Sequence, residues 1–560
     1  MMNQIVPKSE IHEFSSQTDA VLDQAHKGDI HGAFGSIAQH DLGARQSIGH
    51  RLRTLLAIIG PGLIVMVGDN DAGAFGTYTQ AGQNFGITLL WTLLLLIPVL
   101  YVNQEMVVRL GIVTGVGHAR LIFARFGKFW GAFSVIDLFL LNALTIVTEF
   151  IGITIGLDYL GVNKYLGVGI AAFILMLASS TGSLRRFERF AMILVFGSLL
   201  LIPVFLMIHP PVTQIAHSFF VPSMPGGKLS DIMLIIIAIV GTTVAPWQLF
   251  FQQSYVIDKR ITPRFMRYEK FDLMIGIIIV VIGAAAIMGL SAATFAGHPE
   301  FSHFTDAGGV ARGIEHYVGH LPAVLFAIAL IDACIIGAAA VSLSTAYALG
   351  DVFAVNHSLH RKPTEAKGFY AVYFGLITIS AGLVLTPGTP LGLLTNLVQT
   401  LAGVLLPSAT VFLLLLCNDR EVLGPWVNGK LTNIITTIVV ASLVMLSIIL
   451  TAAELFPNIS DHQILGILLG GTVISVMLSV MVQLYVKFKG LKASKPVLIH
   501  SQEQNEQNRI HWRMPPLSKL APFKLGLLNR IWLGVLRLYL VLAGGLLIVK
   551  LVQMALHGTH

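Results

Sequence analysis

The chain reads as an all-α polytopic membrane protein, and three observations carry that reading. It is 55% hydrophobic and only 12% charged over 560 residues, against about 25% charged in an ordinary soluble protein. Apolar stretches near the length needed to cross hydrocarbon, roughly 20 residues, recur from residue 54 onward with no long polar block between them before residue 488. Two of these stretches, the first and the sixth, carry polar sequence at their centres.

The expected spans run over about 54–79, 86–108, 129–156, 165–181, 189–208, 229–256, 271–296, 320–348, 368–386 and 390–417, with two more at 431–453 and 463–487. These give a cytoplasmic N-terminal tail over 1–53 and a ten-helix core over 54–417, with repeats at about 54–208 and 229–417. Helices 11 and 12 follow within 418–487, then a polar cytoplasmic linker over 488–530 and a C-terminal apolar helix within 531–560. That last helix contains Arg537 and Lys550; it spans or lies flat as an amphipathic anchor, and spanning is favoured. The tail has no apolar core of the kind a signal peptide carries.

Basic residues orient the spans. With the N-terminus inside, the cytoplasmic loops hold Arg120, Arg125 and Lys128, then Arg185, Arg186 and Arg189, then Lys259, Arg260, Arg264, Arg267 and Lys270, then Arg361, Lys362 and Lys367. The opposite loops offer Lys164, Lys228 and Arg312, so the positive-inside rule places the N-terminus in the cytoplasm. The net charge of +7 follows from the same loops, and no basic cluster interleaved with aromatics points to nucleic acid. Cys334 and Cys417 both lie in apolar stretches, which argues against a disulfide framework or a thiolate metal site. His298, His303, His316 and His320 show no metal-ligand spacing on one helical face. No nucleophile–base pair or cofactor motif suggests an enzyme, and neither a cofactor nor an obligate protein partner is expected beyond the bilayer itself.

The interruptions carry the function. The first reads Val67-Gly68-Asp69-Asn70-Asp71-Ala72-Gly73-Ala74-Phe75-Gly76; the second reads Val240-Gly241-Thr242-Thr243-Val244-Ala245-Pro246-Trp247-Gln248. A proline removes a backbone donor and crowds the preceding turn, and unwound backbone survives at membrane depth only when buried or lining a wet cavity. A single interruption is most often a kink. Two at equivalent places in five-span halves point to a transport site between inverted repeats, and an intramembrane carboxylate is itself a functional signal.

At these residues the sequence resembles the Nramp family of divalent-metal transporters, which carry Asp-Pro-Gly-Asn on the first helix and Met-Pro-His on the sixth. The corresponding residues are Asp71-Ala72-Gly73-Ala74 and Ala245-Pro246-Trp247. The resemblance extends through Gln83–Gly117 and through Asn418-Asp419-Arg420-Glu421-Val422-Leu423-Gly424, covering about residues 54–455. It implies a leucine-transporter-like fold of two inverted five-helix repeats, with helices 1 and 6 broken and additional C-terminal helices, working by alternating access. It also implies a divalent ion as cargo, and a bacterial plasma (inner) membrane.

The departures sharpen the expectation. Asp71 keeps the family's metal-binding aspartate, whereas Ala74 replaces the asparagine and Ala245 the thioether. Loss of a soft sulfur removes the preference for transition metals, and Mg²⁺ suits a site of few carboxylates because it keeps several waters. Trp247 stands where the family has a proton-handling histidine, and Ile146 replaces the aspartate of an acidic pair on helix 3, leaving Glu149. The combination is similar to the Nramp-related magnesium transporters and implies Mg²⁺, with Mn²⁺ also carried, without proton coupling.

Asp71 is the leading ligand candidate, direct or through water, and also suits the N-terminus of the outer half-helix. Asp69 and Asn70 face the ion if the backbone unwinds there, or else cap or contact another helix. Gly68 and Thr242 occupy positions where the family offers carbonyls, Ala245 is counted in the metal site at the place of the lost thioether, and Gln399 matches a glutamine that joins the site in one conformation. Thr243 and Gln248 either hold water behind the ligands or simply pack. Glu149 is expected to pair with a basic residue near the cytoplasmic side, and Asp332 faces a cavity or the outer surface. The competing readings are a proton-coupled Mn²⁺/Fe²⁺ importer, a Na⁺-coupled amino-acid carrier whose substrate carboxylate the aspartates would repel, and a non-transporting sensor. The sensor would need a large soluble domain.

Overall fold

The computed structural model describes residues 24–488 apart from 42, 44, 389–390 and 457–458, together with 509–510, 512–520, 533–534, 536–537, 541 and 545. The linker expected over 488–530 and the apolar stretch expected within 531–560 lie for the most part outside the described residues.

The stretch read as a plain tail carries structure. A two-stranded antiparallel hairpin, β1 (Ile30–His31) and β2 (Ser36–Ile37), is followed by the helix α1 (Ile48–Ile58). Ser47 caps α1 by accepting from the His50 N–H. A bend of 53° separates α1 from α2 (Pro61–Val67). Its two bare helix ends meet opposite charges. Lys259 Nζ donates to the Ile58 and Ile59 carbonyls at 2.7 and 3.0 Å, and Asp272 Oδ2 accepts from the Gly60 and Gly62 N–H groups at 3.1 and 2.8 Å. A cation on a helix C-terminus and an anion on an N-terminus both complement the aligned peptide dipoles, so this bend is fixed rather than loose. Gly60 supplies the backbone for it, with φ of 151°.

The chain continues through α3 (Ala72–Phe85), α4 (Trp91–Thr114), α5 (His118–Phe126), α6 (Lys128–Tyr159), α7 (Lys164–Ser179), α8 (Leu184–Gly197), α9 (Leu201–Ile208) and α10 (Val212–Phe220). Then come α11 (Leu229–Thr243), α12 (Pro246–Asp258), α13 (Met266–Phe295), α14 (Ala307–Tyr317), α15 (His320–Phe353) and α16 (Lys367–Leu385). The described part closes with α17 (Leu391–Cys417), α18 (Arg420–Leu423), α19 (Lys430–Leu455) and α20 (Asp461–Phe488). Among the described residues, eight helices are long and apolar enough to cross a membrane, or nine if the bent α1–α2 pair is counted.

Burial is arranged for lipid rather than water. Phe173, Leu177, Ile193 and Ile379 are exposed, while Asp69, Asn103, Gln104, Asn142 and Gln248 are inside. Packing repeats with a symmetry that follows the helix order. The helix α13 runs along both α2 and α3, and α4 packs in the same way on α11 and α12, while α6 and α15 lie against each other. Exchanging the first five spans for the second five turns the first of these pairings into the second and leaves the third unchanged. Close approach depends on small residues: a Cβ on Gly82 of α3 would lie 2.3 Å from the Met288 carbonyl oxygen of α13.

Candidate functional site

Both interruptions are breaks in the helix. Between α2 and α3 the chain leaves helical geometry at Asp71 (φ −70°, ψ −172°), and between α11 and α12 it does so at Val244 and Ala245 (ψ 70° and 140°). The Asp71 carboxylate caps α3, accepting from the Ala74 N–H at 3.0 Å, a contact of the kind that contributes about 1 kcal/mol. Ala74 therefore supplies a main-chain donor where the family's asparagine would supply a side chain.

The breaks leave main-chain oxygens without their helical donors. In an unbroken helix the Thr242 carbonyl would accept from residue 246, but that residue is Pro246, which has no N–H. The Gly68 carbonyl would accept from Ala72, but the Ala72 N–H donates to Glu149 Oε2 at 3.1 Å. A proline removes one donor and a glutamate diverts the other. Backbone oxygens at half-helix C-termini, facing an acidic side chain, form a setting for a cation.

Glu149 therefore does not pair with a basic residue, as its sequence context suggests. It lies on α6 against the start of α3, and its carboxyl adjoins that of Asp71. The small residue that makes room is Gly337 of α15, where a Cβ would fall 2.9 Å from Glu149 Oε2 and 3.0 Å from the Asp71 Cβ.

Thr242 stands across from Asp71. An atom placed as a Cβ on Gly73 would be 3.3 Å from Asp71 Oδ1 and 3.6 Å from Thr242 Oγ1. Gly73, Gly76, Thr242 and Ala245 are partly exposed, and a Cβ on Gly76 would meet nothing within 4 Å. The site thus opens toward α3 and α11. On the other side α12 is buried at every residue, and Trp247 covers Gly68, its Cη2 3.7 Å from where a Cβ would be. Among the described residues the α3–α11 side of the breaks is thus the more exposed and the α12 side the more buried.

Asp69 and Asn70 turn elsewhere. Gln248 Nε2 donates to Asp69 Oδ1, and Gln248 Oε1 accepts from Gln104 Nε2 at 3.1 Å. Asn70 Nδ2 donates to the Val280 carbonyl of α13 at 3.3 Å. Thr243 donates to the Ile239 carbonyl at 2.6 Å and accepts from the Tyr78 hydroxyl at 2.7 Å. The structure thus brings Asp71, Thr242 and Glu149 together, sets Gly68 under Trp247, leaves Ala245 partly exposed in the second break, and ties Asp69, Asn70, Thr243 and Gln248 to their neighbours. Ile146 is buried on α6. The Gln399 side chain lies outside the described residues. Asp332 faces α8, where a Cβ on Gly197 would lie 2.2 Å from its Oδ1. His298, half-buried, stacks on Tyr317, and the exposed His320 pairs with Glu315 at 2.9 Å.

Tyr78 and Gln104 were not singled out by the sequence. Tyr78 stands two helical turns beyond Asp71 and so on the same face. Gln104 is a polar residue in an apolar span, which is a weaker signal. Among the described residues, no three His, Cys, Asp or Glu side chains come together as a metal cluster, so side-chain ligation at Asp71 would be completed by main chain and water.

Residues 62–453 match the model of the Nramp family, described as natural resistance-associated macrophage protein-like. A divalent metal cation transporter MntH from Ralstonia nicotianae is 29% identical over 399 residues, covering 68% of this chain and 87% of that protein. The crystal structure of the Eremococcus coleocola manganese transporter, in complex with an aromatic bis-isothiourea substituted compound, aligns with a TM-score of 0.60 at 20% identity, over 80% of this chain and 98% of that one. The fold is leucine-transporter-like, with two inverted five-helix repeats broken at their first helices. By the match across most of its helical core, the chain belongs to the Nramp family.

Proposed function

We propose that this protein moves a divalent metal ion across the membrane, Mg²⁺ by preference and Mn²⁺ as well, by alternating access and without proton coupling. The observation that carries the reading is the donor set: one carboxylate at Asp71 and the Gly68 and Thr242 carbonyls stripped of their helical partners, with the methyl of Ala245 where a thioether would stand. All are hard oxygens. Mg²⁺ dehydrates reluctantly and is commonly held by one or two carboxylates and several waters, and the open space beside Gly76 suits a partly hydrated ion. Asp69 and Asn70 each spend one polar atom on a neighbouring helix, on Gln248 and on the Val280 carbonyl, and stand behind Asp71 as ligands. Trp247 and Ile146 carry no ionisable group, which leaves the Glu149 carboxyl beside Asp71 without the family's further proton carriers.

The basic loops put the N-terminus in the cytoplasm, and the bacterial relative supports a bacterial inner membrane. The opening beside α3 then faces outward, and the buried end at α12 closes the cytoplasmic side. A second reading, a proton-coupled Mn²⁺ importer, is favoured by the manganese and divalent-metal relatives. Uptake into proteoliposomes of Mg²⁺ and of Mn²⁺, with an internal pH dye, separates the two. Mg²⁺ uptake without acidification, lost in Asp71→Ala, is expected; Mn²⁺ uptake with acidification and no Mg²⁺ signal would establish the second reading instead.

A further inference from the structure

The N-terminal hairpin is docked on α8 by arginines that meet no carboxylate. Arg185 Nε donates to the Gly32 carbonyl at 3.1 Å, and Nη2 to the Gly35 carbonyl at 3.2 Å and to the Ser36 hydroxyl; Arg189 Nε donates to the Ala33 carbonyl at 3.2 Å. The acid on the same turn, Glu188, is engaged elsewhere: it accepts from the Ala33 N–H at 2.8 Å and pairs with Lys259 at 2.7 Å. Arg186 beside them is exposed. Two guanidinium groups thus contact neutral acceptors, with their charge uncompensated among the described residues.

Between the hairpin turn, with Phe34, and α8 lies a groove of about 670 Å³, lined along α8 by Arg185 and Arg189 and then by Met192, Ile193 and Phe196. Ile193 is 69% exposed and Phe196 57%, on a helix that is part of a membrane span. The groove therefore leads from a cationic end, at the level of the hairpin, along an apolar helix face that lipid covers. Cationic side chains at the end of a span are where anionic headgroups collect.

We propose that this groove seats an anionic phospholipid from the leaflet on the hairpin side, its phosphate at Arg185 and Arg189 and an acyl chain along Ile193 and Phe196. The same two arginines hold the hairpin turn, so the lipid fastens the hairpin to α8. The hairpin in turn backs onto α1, so closely that a Cβ on Gly32 would lie 2.1 Å from the Ala57 carbonyl oxygen. It also reaches the end of α12, where Arg260 donates to the Ala25 and Asp29 carbonyls at 2.7 and 3.0 Å. Lipid in the groove braces α1, α8 and the end of α12 together across the closed mouth of the cavity.

The test is native mass spectrometry of the full-length protein in detergent, titrated with phosphatidylglycerol, with phosphatidylcholine, and with phosphatidylglycerol plus excess inorganic phosphate. Phosphatidylglycerol should bind, phosphatidylcholine should not, and inorganic phosphate should leave the lipid in place. Arg185→Ala and Arg189→Ala should each weaken binding roughly fivefold. Ile193→Asp, which leaves every hairpin contact intact, should weaken it as much, and Lys164→Ala should have no effect. Equal binding of the two lipids, displacement by inorganic phosphate, or binding that survives all three groove variants overturns the proposal. Hydrogen exchange over residues 30–37 should be slower in phosphatidylglycerol than in phosphatidylcholine bilayers; equal rates would remove the bracing role.

Discussion

The side-chain amide of Gln248, in the first turn of α12, holds the carboxylate of Asp69, in the link between α2 and α3. It joins the two broken helices on the buried side of the site, and Gln104 of α4 steadies it from behind. For the cavity to open there, α2 must part from α12 and this bond must break. Gln248→Leu leaves a buried acceptor without its donor, a loss of about 1–3 kcal/mol. Water reaching Asp69 relieves it, so the closed side should open more often. Ser344, buried on α15 and donating to the Trp247 carbonyl at 2.9 Å, is the reporter. Labelling of Ser344→Cys should rise at least severalfold in the Gln248→Leu background and stay near its original level with Asp69→Asn, which keeps an acceptor. Unchanged labelling in Gln248→Leu would show that the contact does not hold the gate.

Restoring a soft ligand should change which ion the site takes. Ala245→Met places a thioether beside Asp71 and fills space that water would use. Mn²⁺ or Cd²⁺ uptake should strengthen relative to Mg²⁺, by roughly tenfold or more given sulfur's preference for softer ions. Competition between the metals in a single proteoliposome assay measures this. An unchanged ratio would mean that residue 245 does not border the ion.

Glu149 is assigned here the task of drawing the Ala72 N–H away from the Gly68 carbonyl. Glu149→Gln retains an acceptor oxygen and should keep most of the transport rate. Glu149→Ala frees the amide to return to its helical partner, closing the break and removing a ligand. The expectation is a loss of metal affinity on the order of tenfold, the scale seen when groups supporting metal ligands are removed. Isothermal titration with Mn²⁺ distinguishes the two variants; equal affinities would leave Glu149 without that role.

A pH dependence belongs to the loop after α15. Burial pulls the His357 ring down, but the Asp351 carboxylate 3.2 Å from Nε2 outweighs it and raises the pKa from 6.5 to about 9. The stabilisation is fully present below pH about 6.5 and fades as pH rises through about 9, because only the charged ring gains from the pairing. It amounts to something on the order of 3 kcal/mol. Melting temperatures of the wild type and His357→Gln should differ clearly at pH 6 and converge near pH 10. A difference that holds constant across that range would place the stabilisation in packing alone.

The breaks were legible because their causes are local. Gly68, the aspartates and Pro246 each disfavour a continuous apolar helix at the residue itself. What was illegible depends on distant partners. Asp69 and Asp71 look alike in sequence, and what separates them is Gln248, 179 residues on. Glu149 acquires its role from an amide 77 residues away. The hairpin consists of two-residue strands, too short for any alternation of polar and apolar residues to show, and is held by arginines more than 140 residues later.

Ligands made of main chain have a bearing on how such a site can vary. The oxygens of Gly68 and Thr242 survive replacement of the Thr242 side chain, because Pro246 rather than Thr242 makes that carbonyl available. On the proposed site, control of ion choice would therefore be concentrated in a few side chains, Asp71 and Ala245 foremost. One substitution at residue 245 would then retune the cargo while the scaffold that supplies the other oxygens stays as it is.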